Sequence, residues 1–396
     1  MSKWPLVALG EVTSQSRDYV RVDRDTTYPL LGVRWYAQGA FHRETVTPKA
    51  GTICRVRPGQ FIYNRLFAWK GSFGLVTEEL AGSYVSNEFP LFDCDPARLM
   101  PEYLAFVFGR PEVWSWIERV STGTTASRNR WNEPAFNSYR VALPSLIEQR
   151  RIVSVLSAVD SQIVALETEQ RTADEALDRL RNELPTLAPV PLGDVLLAID
   201  SGKSVQTSGE APRVGKPRIL KISALRPGLF RADEAKALDV EMPHSSLVNE
   251  GDLLMTRSNT PDRVGYCARA RGVPASTYMP DLVWRLRIDS DRVDADFLEQ
   301  ALASPVMRGR VTATATGTSA SMRKINKRGI STVMLPLPPI EVQREFAASC
   351  LSAVHAVDAL AAELAALRVV RADLLSALLS QEITVDAAVD KFVKAA

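Results

Sequence analysis

The sequence contains few of the residues on which metal and redox sites depend. Its 396 residues include 4 cysteines and 3 histidines. The cysteines are scattered without a Cys-x-x-Cys pair, and no histidine has a second ligand at the spacing of a zinc site. We therefore expect free thiols, a cytoplasmic location and no bound metal.

Long apolar runs are also absent. No such run approaches the roughly 20 residues needed to span a bilayer, and Met1–Pro5 is not followed by a signal-peptide core. The net charge is +2 and the apolar content is 46%, which excludes a disordered or fibrous chain. The sequence predicts a globular protein of two or three domains that does not use a membrane.

Catalytic motifs are missing. Neither G-x-G-x-x-G nor G-x-x-x-x-G-K-[ST] occurs, and the only adjacent prolines, Pro338 and Pro339, lack the context of a methyltransferase motif. Asp200 followed by Glu234-Ala235-Lys236 loosely matches a metal-dependent nuclease, but so short a pattern often arises by chance. We expect a binding protein with no catalytic residues and no cofactor; a self-sufficient DNA endonuclease is the alternative.

What the sequence does contain is a duplication. Thr122–Ser127 recurs as Thr316–Ser321 and Leu143–Leu146 as Leu337–Ile340, both 194 positions later. A repeat of this length is a whole domain with its connector. Two similar but unequal domains suit a target with two similar but unequal halves, and duplex DNA is such a target.

Each copy ends in a long heptad pattern, and Pro144 or Pro338 precedes it. The apolar seam is carried by Ile152, Leu156, Val159, Ile163, Leu166, Gln170, Ala173, Leu177, Leu180 and Leu184, and by the same positions plus 194. Alternating four-three spacing over five heptads predicts a coiled coil. At the polar seam position Arg371 we expect a solvated helix end or a partner surface.

These patterns predict an α+β protein. Two similar globular domains of short strands and helices, residues 1–145 and 188–340, are separated by two long helices, residues 146–187 and 341–396, that form an antiparallel coiled coil. The domains have net charges of +3 and +5, and each helical segment has −3. Basic domains favour phosphate contact, although ordinary surface variation would also explain so small a bias.

The first candidate DNA contact is the repeated segment of hydroxyl residues around a glycine. Small residues let the backbone approach a phosphate, and the following cations add charge or reach a base edge. An ordinary polar loop is the alternative. The predicted contacts are Thr122, Gly123, Thr124, Arg128 and Arg130, with Gly317, Thr318, Ser319, Arg323 and Lys324 in the second copy.

The second candidate follows a predicted strand and differs between the copies around a shared arginine. Arginine can contact guanine through two hydrogen bonds, and asparagine can contact adenine. Phe67 and Trp69 in this stretch suit core packing as well as contact. Arg34, Gln38 and Arg226, in an earlier loop, are weaker candidates. The predicted contacts are Asn64, Arg65 and Lys70 in the first copy, and Thr256, Arg257, Ser258 and Asn259 in the second.

The arrangement resembles the specificity subunit of type I restriction–modification enzymes. Leu143–Val153 and Leu337–Phe346 are similar to that family's Leu-Pro-Pro-Leu-x-Glu-Gln-x-x-Ile signature, and Gly251–Ser258 is similar too. Ser145 replaces a proline and Val342 a glutamate of the signature, which puts a contact at this hinge in doubt.

The resemblance implies that each globular domain is a target-recognition domain reading one half of a split DNA site. It implies that the helices set the gap and dock methyltransferase subunits, two of them in our expectation, and that motor–nuclease subunits join for cleavage. The methyl donor, the metal and ATP then belong to the partners. A coiled-coil scaffold without a DNA role is a further alternative.

Overall fold

The computed structural model describes residues 4–121, 130–184, 188–207, 209–240, 242–316, 322–385 and 387. The chain divides into two compact units. Unit 1 comprises Met1–Ala165 and Leu364–Ala396, and unit 2 comprises Leu166–Glu363. Each unit therefore contains one globular body, part of the first long helix and part of the second. Strands and helices are numbered in chain order.

The body of unit 1 holds three sheets and three short helices. The five-stranded sheet runs in the order β3 (Tyr19–Arg21), β6 (Thr52–Arg55), β9 (Tyr84–Val85), β4 (Tyr28–Val33) and β5 (Ala40–Val46). The four-stranded sheet runs in the order β2 (Thr13–Ser16), β10 (Leu91–Cys94), β7 (Phe61–Tyr63) and β8 (Phe73–Leu75). β1 (Leu6–Ala8) pairs with β11 (Arg140–Ala142), and the helices are α1 (Pro101–Phe108), α2 (Pro111–Val120) and α3 (Glu133–Ser138).

The body of unit 2 repeats part of this plan. Its four-stranded sheet runs in the order β13 (Leu196–Ser201), β22 (Val283–Ile288), β18 (Leu253–Thr256) and β20 (Cys267–Arg269). Its three-stranded sheet runs in the order β17 (Ala235–Ala237), β14 (Arg218–Leu220) and β21 (Thr277–Tyr278). Three strand pairs complete it: β12 (Pro189–Pro191) with β24 (Met334–Pro336), β15 (Leu225–Arg226) with β16 (Leu229–Phe230), and β19 (Ser258–Asn259) with β23 (Arg323–Lys324).

The remaining elements of unit 2 are α5 (Ala295–Ala303), α6 (Pro305–Ala313) and α7 (Lys327–Ser331). Equivalent strands pair in the same register in both bodies. Phe92 faces Phe61 between β10 and β7, and Leu286 faces Leu253 between β22 and β18. The duplication seen in the sequence is thus preserved in the hydrogen-bonded pairing of the two central sheets.

The two cores differ in composition. Stacked or tilted aromatic rings fill unit 1, including Tyr63, Phe92 and Phe136, and Trp131 is 1% exposed. In unit 2 aliphatic residues surround Phe297 and Trp284. Each body therefore fills its core with its own set of side chains, and a large-to-small change in either core would leave a cavity.

The long helices are α4 (Leu146–Asn182) and α8 (Ile340–Leu379), as the heptad pattern predicted. Each begins shortly after the expected prolines. A proline has no backbone N–H and clashes with the preceding turn, so it is tolerated before a helix or in its first turn but not in its interior. The seam is buried at Leu156, Val159, Leu374 and Leu378, each at most 1% exposed. At 1.5 Å per residue each helix is about 55–60 Å long.

The helices pack antiparallel in both units. In unit 1, Asp160 of α4 pairs with Arg371 of α8, with Nε–Oδ1 and Nη2–Oδ2 distances of 2.5 and 3.1 Å. In unit 2, Leu177 of α4 and Val354 of α8 line the same cavity. Arg371 therefore belongs to the contact between the helices, which corrects the expectation of a solvated end or partner surface.

By length and composition alone, α8 is also long and apolar enough to cross a membrane, contrary to the expectation from the sequence. However, Leu367 and Leu374 on one side of the helix are buried in unit 1. An apolar face on a protein core explains the same composition.

Both long helices are attached to their bodies by a buried glutamine. Gln149 accepts a hydrogen bond from the Met100 N–H at 2.9 Å and donates to the carbonyls of Arg98 and Pro144 at 2.8 and 3.0 Å. Gln343 makes the same three bonds 194 positions later, with Asp294, Arg292 and Pro338. The hinge contact therefore depends on the glutamine of the signature and survives the departures at Ser145 and Val342.

Candidate nucleic-acid interface

The same backbone frame surrounds the shared arginine in each body. The Arg65 N–H donates to the Glu88 carbonyl at 3.0 Å, and the Arg65 carbonyl accepts from the Trp131 N–H at 3.1 Å. The Arg257 N–H donates to the Leu282 carbonyl at 2.8 Å, and its carbonyl accepts from Ile325 at 3.0 Å. Hence tertiary structure joins the residue after each repeated hydroxyl segment to the shared arginine, although 66 residues of sequence separate the two in the first body and 68 in the second.

In unit 1 two of the predicted cations, Arg65 and Arg130, have acidic partners. The Arg65 guanidinium forms an ion pair with Glu133, and both side chains are about one-fifth exposed. Arg130 lies 2.8 Å from Glu88, with its own side chain 52% exposed. An arginine that turns to a phosphate gives up its carboxylate partner. Arg65 is therefore the less accessible of these two cations, and Arg130 is the more accessible.

Asn64 and Lys70 follow in the same turn. The Asn64 Oδ1 accepts a hydrogen bond from the Leu66 N–H at 3.0 Å, which leaves the amide group as the part available to a ligand. The Lys70 Nζ lies 3.9 Å from the centre of the Trp35 ring. Phe67 and Trp69 are half-buried, and the Trp69 indole N–H donates to the Leu66 carbonyl at 3.0 Å. Each of these side chains is therefore partly packed against the protein and partly open to solvent.

In unit 2 two predicted contacts lie beneath the surface. Thr256 is fully buried; its hydroxyl accepts from the Tyr266 N–H at 2.9 Å and donates to the Arg263 carbonyl at 3.0 Å. Ser258 is fully buried as well. Burial of both side chains counts against direct contact with a duplex in this conformation, so Thr256 and Ser258 are the least accessible of the predicted contacts in unit 2.

The other four described contacts of unit 2 are brought together by one strand pair. Ser258 faces Lys324 and Asn259 faces Arg323 between β19 and β23, while the backbone of Arg257 bonds to Ile325. Among the described residues no acidic side chain forms an ion pair with Arg257, Arg323 or Lys324. This group of three cations and one asparagine is the most basic part of the candidate interface.

Seven predicted contacts lie outside the described residues: Thr122, Gly123, Thr124, Arg128, Gly317, Thr318 and Ser319. Other residues that the sequence did not single out lie beside the candidate contacts. Trp35 and Tyr36 contact the Phe67–Lys70 turn, and Glu88 and Glu133 are the acidic partners of Arg130 and Arg65. An aromatic pair beside Arg34 was the available signal, but sequence alone does not tell an exposed tryptophan from a buried one.

The residues that loosely matched a nuclease are engaged elsewhere. Asp200 forms an ion pair with Arg287 at 2.9 Å. Hydrogen bonds from the Ser223 hydroxyl and the Lys221 ammonium lower the pKa of Glu234. No group of three or more His, Cys, Asp or Glu suited to a metal ion occurs within the part of the chain that the structure describes.

Comparison with known proteins gives one curated relative and several structures. No family model matches the chain. A segment of 159 residues, 38% of this chain, is 26% identical to the specificity subunit of the type I restriction enzyme EcoEI of Escherichia coli. The matched segment spans about a quarter of that relative, 26% of its length.

Solved structures match over almost the whole chain. A chain from a study of complex assembly and conformational transition of the type I restriction–modification system covers 95% of this chain, and 97% of its own length, with a TM-score of 0.55 and 18% identity. The type I restriction–modification S subunit from M. genitalium covers 95%, and 96% of its own length, with a TM-score of 0.58 and 14% identity. These likenesses show a shared fold, and they confirm the α+β architecture with two strand-rich domains and two packed long helices that the sequence predicted.

Proposed function

We propose that this chain, which has the fold of the type I specificity subunits, is the DNA-recognition and assembly subunit of a type I restriction–modification enzyme. The target-recognition domains, residues 1–145 and 188–340, each read one half of a bipartite duplex site. The helical spacers, residues 146–187 and 341–396, set the unread distance between the halves. The chain itself catalyses no reaction.

The observation that carries this proposal is the repeated backbone frame around Arg65 and Arg257. The frame holds one position constant and presents different side chains beside it, Asn64 and Lys70 in one body and Asn259 and Arg323 in the other. A pair of readers with a common frame and different side chains reads different bases with the same approach to the duplex.

The partners follow from the same proposal. Two methyltransferase subunits dock on the helical spacers, and motor–nuclease subunits join the complex for cleavage. The methyl donor, the metal and ATP are bound by those subunits, and the assembly works in the cytoplasm. Because the net charge of this chain is only +2, we expect weak duplex binding by the isolated chain and tighter binding by the complex.

The test uses the chain assembled with its methyltransferase subunit. We expect the complex to methylate genomic DNA at one bipartite sequence and the isolated chain with magnesium neither to cut nor to methylate. Sequencing of methylated bases reads out both results. Cutting by the isolated chain would support the endonuclease alternative, and methylation without a bipartite pattern would contradict the proposal.

Individual contacts are tested in unit 2. Arg257→Ala and Arg323→Ala should each weaken binding to the mapped site by about 5- to 150-fold, since a base contact through two hydrogen bonds contributes about 1–3 kcal/mol. Arg213, whose side chain is 79% exposed and pairs within its own loop with Glu210, provides the control Arg213→Ala. Equal losses in all three variants would mean that only general charge matters.

Domain exchange tests whether each globular domain reads one half-site independently. Replacing residues 1–145 with the first domain of another type I specificity subunit should change one half-site and leave the other half-site and the gap unchanged. Methylation mapping of the hybrid complex measures all three. A change in both half-sites would contradict independent reading by two domains.

A further inference from the structure

The turn between β4 and β5 presents two large aromatic side chains to solvent. Trp35 is 41% exposed and Tyr36 is 61% exposed. Tyr36 and Ala37 also have φ values of 57° and 54°, in the left-handed region that non-glycine residues rarely adopt. Strained residues of this kind persist where the surroundings fix them, and they cluster at binding sites.

The surroundings fix this turn firmly. The Tyr36 N–H donates to the Lys70 carbonyl at 2.8 Å, and the Ala37 N–H donates to the Gly71 carbonyl at 2.7 Å. Gly71 has φ 71°, and a Cβ there would lie 2.4 Å from the indole of Trp114. The close approach of these segments therefore requires glycine at position 71 and fixes the backbone that carries the two exposed rings.

One cation lies beside an exposed ring of this turn, and a second lies over a neighbouring half-buried ring. The Lys70 Nζ is 3.9 Å from the Trp35 ring centre, and the Arg34 guanidinium is 4.3 Å from the Phe41 ring centre. The Tyr36 and Trp114 ring centres are 6.1 Å apart. We call Trp35, Tyr36, Lys70 and Trp114 the aromatic clamp.

We propose that the aromatic clamp receives a base of the first half-site that has left the duplex stack. The Tyr36 ring stacks on the face of this base, the Trp35 ring, which lies at 90° to it, meets the edge of the base, and Lys70 lies towards the adjacent phosphate. Every base has a π-face, and stacking on an aromatic side chain contributes about as much to binding as a specific hydrogen-bonded pair. Exposed rings with a cation beside them match a nucleotide, which joins an apolar face to an anion. Asn64 and Arg65 of the candidate interface lie a few residues before Lys70 of the clamp in the chain.

The clamp belongs to the first body. In the second body, the turn Pro227–Gly228 between β15 and β16 lies against α4, where the Pro227 carbonyl accepts from Arg181 at 3.0 Å. The two half-sites are therefore read differently: the first includes a base stacked on protein, and the second depends on the cations around β19 and β23. This inference rests on the proposed function.

The test uses the complex with methyltransferase and the duplex identified by methylation mapping. Tyr36→Ala and Trp35→Ala should each weaken binding by about 5- to 150-fold in fluorescence anisotropy, whereas Tyr36→Phe should bind like the parent because it keeps the ring. Tyr19, which is 51% exposed on β3 of the same unit, supplies the matched control Tyr19→Ala, which should leave binding unchanged.

A second readout follows the base itself. With 2-aminopurine at successive positions of the first half-site, the parent complex should change the fluorescence at one position, and Tyr36→Ala should abolish that change. Parent-like affinity and fluorescence for Tyr36→Ala would overturn the clamp while leaving the proposed function intact. Failure of the parent complex to bind any bipartite duplex would instead overturn the proposed function. Loss of methyltransferase assembly in Tyr36→Ala without DNA would assign the clamp to a protein partner.

Discussion

Arg181 and Gln300 are joined by two hydrogen bonds, from the arginine Nε and Nη2 to the glutamine Oε1 at 3.1 and 2.8 Å. Arg181 is 4% exposed although it lies one residue before the end of α4. Burial lowers the pKa of its guanidinium, and a charge buried in this way is stable only when it is hydrogen-bonded. The pair therefore fixes the last turn of α4 on the body of unit 2.

Arg181→Met should destabilise unit 2 by about 1–3 kcal/mol, because Gln300 and the Pro227 carbonyl lose a buried donor. Urea unfolding of the full chain measures the change as a lower midpoint of the unit 2 transition. Arg179→Met is the control two residues earlier on the same helix, where the side chain is 78% exposed. A parent-like midpoint for Arg181→Met would show that the buried pair contributes nothing.

Replacing either hinge glutamine should lower the free energy of unfolding. Gln149→Ala leaves the Met100 N–H and two carbonyls without their partner, and Gln343→Ala does the same in the other unit. We expect a loss of about 1–3 kcal/mol for each, additive in the double variant because the sites share no partner.

The matched control for both glutamines is Gln162→Ala, since Gln162 is exposed on α4. Thermal and urea unfolding of the three single variants and the double variant give the comparison. If Gln162→Ala lowers stability as much as Gln149→Ala, the effect arises from helix composition and the hinge role is refuted.

The Asp160–Arg371 pair should contribute little to stability. Its side chains are 37% and 30% exposed, and ion pairs in contact with solvent contribute about 0–1 kcal/mol. The positions related by the 194-residue repeat hold Leu177 and Val354, both 5% exposed. We expect Asp160→Val combined with Arg371→Leu to be as stable as the parent or more stable, while each single change is destabilising.

A double-mutant cycle at low and high salt measures this pair. A coupling energy that falls with added salt would agree with an exposed ion pair. A double variant less stable than both single variants would contradict the expectation, because it would mean that the polar pair is required at this position.

The helices should determine the gap between half-sites. Four residues inserted near Glu169, with four inserted opposite them in α8 near Ala362, lengthen the helix pair by about 6 Å, close to two base-pair steps. Methylation mapping should show a longer gap between unchanged half-sites. Four residues inserted after Gly215, a position with φ 71° and nothing near its Cβ, lengthen the chain without lengthening a helix and should leave the gap as it is.

An unchanged gap in the helix-insertion variant would refute the role of the helices in spacing. Loss of methylation at every site would have a different meaning, because it would place the insertion in a surface that the methyltransferase contacts. Gel filtration of the variant complex distinguishes these two results.

Several elements could be predicted from the sequence because they depend on neighbours along the chain. The heptads place Leu156 and Leu374 on the buried seam at helical spacing. The strand around Phe61 follows Gly59, whose φ of 81° suits a turn. In each of these cases a local pattern selects a local conformation.

The accessibility of the candidate contacts could not be predicted in this way. Arg65 is held by Glu133 and Thr256 is buried beside Tyr266, and neither partner is signalled by the repeat. Trp35 contacts the turn at Lys70, 35 residues later in the chain. Such contacts depend on residues far apart in sequence, so no local pattern contains them.

The sequence by itself determined the duplication, the two seams and the positions at which the long helices begin, since backbone geometry and apolar periodicity act over a few residues. Only the tertiary structure decided which cations are accessible, which glutamine bonds hold the helices and which aromatic rings face solvent. The physical reason is that exposure and charge pairing are set by packing between distant segments, and packing is a property of the folded chain as a whole.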